Sequence, residues 1–451
     1  MISHFKRLMR PRAEGTAATV AEAGAERDRT SGHGDGEQPS GSAAGAESRG
    51  TFSALRYRNF RLFFFGQLIS LTGTWMDITA EGWLVYKLTG SKLLLGVVGV
   101  AGSAPLLLFS IWGGWLADHY PKRTVIVLTQ SVSMVLAFIL SAIVWLGVVR
   151  PWHIVLIAFL FGIVLAFDMP SRQSFFIEMT SRDELANAIS LNSSIVNGAR
   201  IVGPAVAGAV MAQSGIAFCF FLNGLSFIAV IAVLLMMRLP AHVRPAQKES
   251  AWKQALSGFH YLRGNFRVCV LLSLFAVVGV FGWSYAVVMP AFARDILRVD
   301  ELRYGILMAS CGCGALTGAL WLATAGHRLP KNKLAFRGVL LLSVMLILFA
   351  VNRNYYLALL LFAGVGLGGI LFFALCNTLI QTSVPDHMRG RVMGIWTLVF
   401  GAMIPLGNLV AGSLASLVDV PLTLIIGALI CAAATLVAMS ILRRRDAAEG
   451  L

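Results

Sequence analysis

From Arg61 to the C-terminus the chain repeats a single pattern, an apolar run of about 20 residues followed by a short polar loop. The runs fall at 61–86, 92–117, 124–148, 153–171, 186–212, 217–238, 267–292, 305–325, 334–351, 355–383, 392–416 and 421–442. A hydrocarbon core roughly 30 Å thick offers the backbone no water, so a spanning segment must satisfy its own hydrogen bonds as a helix of about 20 residues. The spacing therefore predicts an all-α membrane protein of twelve transmembrane helices. Composition agrees, because 57% of the residues are hydrophobic and 13% charged. Soluble domains carry about 25% charged residues, so this chain lacks a polar shell.

Twelve spans place both termini on one side. Counting Lys and Arg in the loops from Arg56 onward gives twenty-two on the side of the N-terminus and seven on the other. Basic residues stay on the cytosolic side, which predicts a multi-pass protein of the inner (cytoplasmic) membrane with both termini in the cytosol. The net charge of +15 then reports topology, and nucleic-acid binding is excluded. All six cysteines lie in apolar segments without a C-x-x-C, so they are packing residues.

Residues 1–50 hold seven basic and seven acidic residues in a Gly/Ala/Ser-rich background, composition expected of a disordered cytosolic tail. They contain no apolar core of a signal peptide, so the first span is expected to direct insertion. The predicted units are this tail, a six-helix bundle at 51–239, a cytosolic linker at 240–265, a second bundle at 266–442 and a cytosolic tail at 443–451. Within the linker, Trp252, Leu256 and Phe259 fit either a short interfacial helix or an ordinary connection.

The two halves repeat each other. Arg58-Asn-Phe-Arg61 before the first span matches Gly264-Asn-Phe-Arg267 before the seventh, and Pro121-Lys122 matches Pro330-Lys331. Ile201 to Gly208 in the fifth span matches Pro405 to Gly412 in the eleventh. Three matches in order at nearly one offset predict two parallel six-helix repeats, related by an axis along the membrane normal, with a cavity between them.

Gly114-Trp-Leu-Ala-Asp118-His-Tyr-Pro-Lys122-Arg123 follows the second span. Its spacing resembles the signature of the major facilitator superfamily between its second and third helices, with His119 and Pro121 as departures. Gly203-Pro204 and Gly208 in the fifth span resemble the Gly-Pro motif of exporter branches; the proline kinks the helix and the glycines permit close packing. Val384-Pro-Asp386-His-Met-Arg389-Gly-Arg391 after the tenth span, Asp168 to Arg172 after the fourth and Leu88 to Ser91 extend the likeness over residues 51–440. Together they are similar to the enterobactin-exporter-like, or transmembrane secretion effector, branch. The resemblance implies a proton-driven exporter of siderophores or other amphipathic small molecules, working by alternating access. It also implies that Asp118 and its basic neighbours tie helix ends at a gate. Asp168 is expected to pair with Arg123 there, with Arg172, Asp386, Arg389 and Arg391 as further gate residues.

Ionisable residues within spans are functional candidates. Asp77 lies 16 residues beyond Arg61 and Arg200 lies 13 beyond Asn187, so at 1.5 Å per residue they reach similar depths. An Asp77–Arg200 pair is expected, serving either proton coupling or static helix packing, with Glu81 one turn further on. Gln67, Asn197, Asn223, Asn377, Gln381 and Asn408 are expected either to line the cavity or to bridge helices. Trp75, Trp83, Trp283 and Tyr285 are either substrate contacts or interface anchors. Gly364 to Gly369 fits G-x-G-x-x-G but lies in an apolar span without a preceding strand, so it is a packing run. His119, His327 and His387 lack partner ligands, and no phosphate loop, H-E-x-x-H or G-x-S-x-G occurs. No metal, cofactor or enzymatic activity is predicted. The expected partners are a small-molecule substrate, protons and the lipid bilayer, with the chain acting as a monomer. A lysophospholipid flippase or importer of the same fold, or a membrane sensor that does not transport, remain the competing readings.

Overall fold

The computed structural model describes residues 52–180, 184–237, 264–326 and 330–448, all within one compact unit. After a short turn at Ser53–Arg56, twelve long helical segments follow. They are α1 (Arg58–Thr89), α2 (Lys92–His119), α3 (Lys122–Trp145), α4 (Pro151–Met179), α5 (Leu185–Ser214) and α6 (Ile216–Met236). The later six are α7 (Phe266–Ile296), α8 (Glu301–Ala325), α9 (Lys331–Val351), α10 (Tyr355–Thr382), α11 (Asp386–Leu417) and α12 (Val420–Ala448). Helix α7 is interrupted by wide turns at Val278–Gly282 and Phe292–Ile296.

Eleven of the twelve, α2 to α12, are long and apolar enough to cross a membrane. Helix α1 is diluted by Gln67, Asp77 and Glu81 and by its glycines and threonines. Gln67 and Asp77 are buried against protein, so their cost in lipid does not arise. Helix ends carry ordinary chemistry. Ser91, Asn265, Asp300 and Asn354 accept the free N–H of the third helical residue, at 3.2, 3.2, 2.9 and 3.1 Å. Gly90 ends α1 at φ 61°, a left-handed conformation that favours glycine.

Three predicted boundaries are corrected. Asp168 and Arg172 lie inside α4, which runs through Pro170 to Met179, rather than in a turn. Arg389 and Arg391 lie in the first turns of α11, not in the turn before it. Helix α12 continues beyond 442 to Ala448. In each case charged residues end the apolar run, but the backbone hydrogen-bond ladder continues past them. Residues 1–50, most of the predicted linker with Trp252, Leu256 and Phe259, and His327 lie outside the described residues.

Within the first six helices, α1 packs on α5 and α6, α2 on α4, and α3 on α4 and α6. Each pairing recurs six helices on: α7 with α11 and α12, α8 with α10, and α9 with α10 and α12. Aromatic residues knit both groups. Phe63 meets Phe175 and Phe176 edge-on at 6.0 and 5.6 Å, and Phe275 stacks on Trp396. The two groups meet chiefly through α2 with α11 and α5 with α8.

Candidate functional site

Small residues allow these two seams to close. A Cβ on Gly96 of α2 would stand 2.6 Å from the Asn408 carbonyl of α11, and one on Gly412 would stand 2.7 Å from the Gly96 Cα. On the other seam, a Cβ on Gly208 of α5 would fall 2.8 Å from the Leu302 carbonyl of α8. These contacts lie toward the α1–α2 turn, the end of the molecule remote from the start of α1. Toward the opposite end, Gly114, Gly390 and Gly394 have open space where a Cβ would stand. The described glycines at which a Cβ would fall within 3 Å of the other group lie from mid-helix to the end near the α1–α2 turn.

A second set of contacts caps the tight end. Lys87 Nζ lies 3.0 Å from Glu301 Oε1, and Trp83 Nε1 donates to the same oxygen at 3.2 Å. Tyr86 donates its hydroxyl proton to Asp295, and the Trp83 and Tyr304 rings stack at 4.9 Å. Every one of these joins the last turns of α1 to α7 or α8. Nothing local marks Tyr86, Lys87, Asp295, Glu301 and Tyr304 as acting together, because the pairs lie more than two hundred residues apart.

Below this cap lies a cavity of about 240 Å³ walled by both groups of helices. Its walls include Trp75, Glu81 and Arg200 from the first six helices and Trp283, Tyr285 and Tyr304 from the last six. The Arg200 guanidinium sits over the Trp283 ring at 4.9 Å and near the Trp75 ring at 5.8 Å. Its polar neighbours are the Tyr285 hydroxyl and the Cys311 thiol, themselves 3.2 Å apart.

The expected Asp77–Arg200 pair is not formed. Asp77 is buried with Asn223 as its polar neighbour, its Oδ1 has no hydrogen-bond partner, and neither Asp77 nor Glu81 joins an ion pair among the described residues. Axial rise placed the two charges at similar depth but carried no information on which face of each helix they occupy. Glu81 does line the cavity.

The expected Asp168–Arg123 contact is also absent. Asp168 is held by Arg172 at 2.7 Å, by Thr129 Oγ1 at 2.7 Å and by Gln130 Nε2 at 3.2 Å. Arg123 instead donates to the Leu235 carbonyl at 2.8 Å, joining α3 to the end of α6. Lys122 pairs with Glu178, and Asp386 pairs with Arg389 at 2.6 Å. Arg391 lies 3.8 Å from the Met388 sulfur, and Asp118 is exposed without an ion pair among the described residues. All of these contacts stay within one six-helix group.

Of the six polar candidates, Asn408 alone reaches the cavity wall. Gln67 is buried with Oε1 unpartnered, Asn197 donates to the Ser193 carbonyl at 2.8 Å, and Gln381 donates to Asn377 at 2.5 Å. Gly203 presses α5 onto α1, where a Cβ would stand 2.9 Å from the Thr72 carbonyl, and Pro204 faces the cavity. Trp75, Trp283 and Tyr285 line the cavity, and Trp83 belongs to its cap.

Comparison with known proteins agrees with this architecture. The family model described as transmembrane secretion effector matches residues 49–450. The chain is 27% identical over 373 residues to the staphyloferrin A transporter of Staphylococcus aureus, covering 77% of this chain and 87% of that protein. It is 26% identical to the multidrug efflux pump Tap of Mycolicibacterium fortuitum, over 78% of this chain and 88% of that one. It is 24% identical to the enterobactin exporter EntS of Shigella flexneri, over 75% and 80%. Among solved structures, the nucleoside transporter NupG superposes with a TM-score of 0.70 at 12% identity, over 85% of this chain and 99% of that one. A bacterial homologue of the lysosomal transporter Spinster, inward-facing and occupied, gives 0.68 at 13% identity, over 85% and 97%.

Proposed function

The chain belongs to the transmembrane secretion effector family, and from that premise we propose that it exports an amphipathic small molecule, a siderophore or drug-like compound, by proton-coupled alternating access. It is a membrane transporter and not an enzyme. The observation that carries the export reading is a cavity walled by both six-helix groups, with the described polar contacts between the groups gathered at one end of it. A site between two bodies can face either side in turn if the bodies rock about it.

In this reading the two groups are the moving halves. The start of α1 and both termini face the cytosol, and the cap of Trp83, Lys87, Glu301 and Tyr304 closes the outer face. The opposite end, where Gly114, Gly390 and Gly394 have open space, then admits cytosolic substrate. Asp77 and Glu81 carry the proton that enters in exchange, and one chain suffices. Relatives named for staphyloferrin A, enterobactin and multidrug efflux support export of this kind of molecule.

Purified protein in liposomes, given a siderophore and a fluorescent amphipathic dye, tests the reading. Uphill movement of either compound under an imposed pH gradient is expected. Movement of neither, with lysophospholipid moved instead, would replace export of soluble compounds by lipid flipping.

A further inference from the structure

We propose that Arg200 is the anion-recognising residue of the cavity, so that the transported molecule carries a negative charge on a flat conjugated body. This rests on the transporter reading above and names the substrate chemistry of the same cavity.

Three observations carry it. First, Arg200 is a cation in a wall made largely of apolar and aromatic side chains, and no described carboxylate forms an ion pair with it. Its polar neighbours, the Tyr285 hydroxyl and Cys311 thiol, are uncharged groups. A half-buried cation with no counter-charge in an apolar wall attracts an anion more strongly than one in bulk water does.

Second, the guanidinium lies over two aromatic rings. Trp283 and Trp75 lie 4.9 and 5.8 Å from its centre, one ring from each six-helix group. A guanidinium carries five N–H donors, so beyond those turned to the Tyr285 hydroxyl and the Cys311 thiol it keeps donors for a carboxylate. Because the rings come from both groups, a ligand on Arg200 touches both bodies that must move.

Third, the rest of the cavity offers faces for a ring. Trp75, Trp283, Tyr304 and Phe362 line it, and aromatic walls favour flat partners by offset or edge contact. Glu81 is the other charge in the wall, but it lies six residues beyond Trp75 along α1, about 9 Å toward the Trp83–Tyr304 cap. Glu81 forms no ion pair with Arg200 among the described residues, so the guanidinium can still take an anion, whereas a cation there would meet it directly.

A matched series isolates charge from shape: 2-naphthoate, 2-naphthamide and 2-naphthylmethylammonium, titrated calorimetrically into the full-length protein in detergent. Naphthoate is expected to bind at least tenfold tighter than the amide, and the ammonium weakest. Arg200→Gln should weaken naphthoate tenfold or more while leaving the amide within twofold. Arg200→Lys should fall between, and Trp283→Leu should weaken acid and amide alike. The unchanged amide affinity reports that Arg200→Gln is still folded. Equal binding of acid and amide, a preference for the ammonium, binding of none of the three, or an Arg200→Gln variant that still prefers the acid would each overturn the proposal. The transporter reading fails separately, if a compound that binds is not moved across liposomes under a pH gradient.

Discussion

Lys87 and Glu301 meet at 3.0 Å across the two six-helix groups, on a carboxylate oxygen that also receives the Trp83 indole N–H. Lys87 is about half exposed, and an exposed pair of this kind contributes about 0–1 kcal/mol. The shared acceptor matters more, because removing Glu301 frees both donors at once. Lys87→Ala is therefore expected to change the closed end little, and Glu301→Ala to loosen it clearly. Spin labels at Leu88 and Arg298 read the difference as a longer-distance population that is larger in Glu301→Ala. Identical distance distributions in both variants and the parent would show that this cap does not hold the end shut.

Gly412 and Gly96 allow α11 and α2 to touch backbone to backbone. A methyl at Gly412 would stand 2.7 Å from the Gly96 Cα and 3.0 Å from the Lys92 carbonyl, and backbone cannot swing aside as a side chain can. Overpacking of this kind costs about 1–3 kcal/mol, and here the cost falls only on the conformation in which the seam is closed. Gly412→Ala should lower transport about tenfold or more and raise labelling of a cysteine introduced at Leu95, inside the capped end of the cavity. Unchanged transport and labelling would mean that the seam is slack.

The spans were legible because burial in lipid demands long apolar runs, and twelve helices stand where twelve runs were read. Their ends were less legible. Asp168, Arg172, Arg389 and Arg391 look like loop residues to a hydropathy reading, yet each lies in a helix that outlasts its apolar stretch. The cavity was partly legible, since Arg200, Glu81, Trp75 and Trp283 all stood out as charges or large aromatics within spans. Their partners were not. Asp77 and Arg200 were matched by depth, but depth does not fix the face, and the structure turns Asp77 toward Asn223 and Arg200 toward Trp283. The cap was invisible, because nothing local marks Tyr86 and Asp295 or Lys87 and Glu301 as neighbours.

Asp168 is a structural anchor within the first six helices. It is buried, paired with Arg172 one turn away and bonded across to Thr129 and Gln130 of α3. Removing it leaves Arg172 without its counter-charge and Gln130 without that acceptor, while the Thr129 hydroxyl keeps only the Ile126 carbonyl at 2.9 Å. Asp168→Ala should cost about 3 kcal/mol, the range for breaking a buried pair. Thr129→Val should cost about 1 kcal/mol, the value of one hydrogen bond. Thermal unfolding in detergent should rank parent above Thr129→Val above Asp168→Ala. Equal midpoints for Asp168→Ala and parent would reassign this residue from packing to gating.

Asp77 differs from Asp168 in having no ion-pair partner among the described residues. One oxygen faces no donor, and the only acid near it is Glu81, one turn on along the same face of α1. A carboxylate in that position can take up or release a proton without dismantling an ion pair, so its protonation can follow whichever side the cavity faces. Asp168 could not do so without losing Arg172. Transport by the parent protein is therefore expected to respond to an imposed pH gradient, and Asp77→Asn to flatten that response at least tenfold. Ligand affinity should stay within twofold, because Asp77 is not in the cavity wall. Glu81→Gln separates the two acids. If it alone flattens the response, the proton rides on the acid in the cavity wall, and coupling runs through the cavity itself. If Asp77→Asn alone does so, coupling runs through the packing of α1 against α6. A full gradient response in both variants would remove proton coupling from α1.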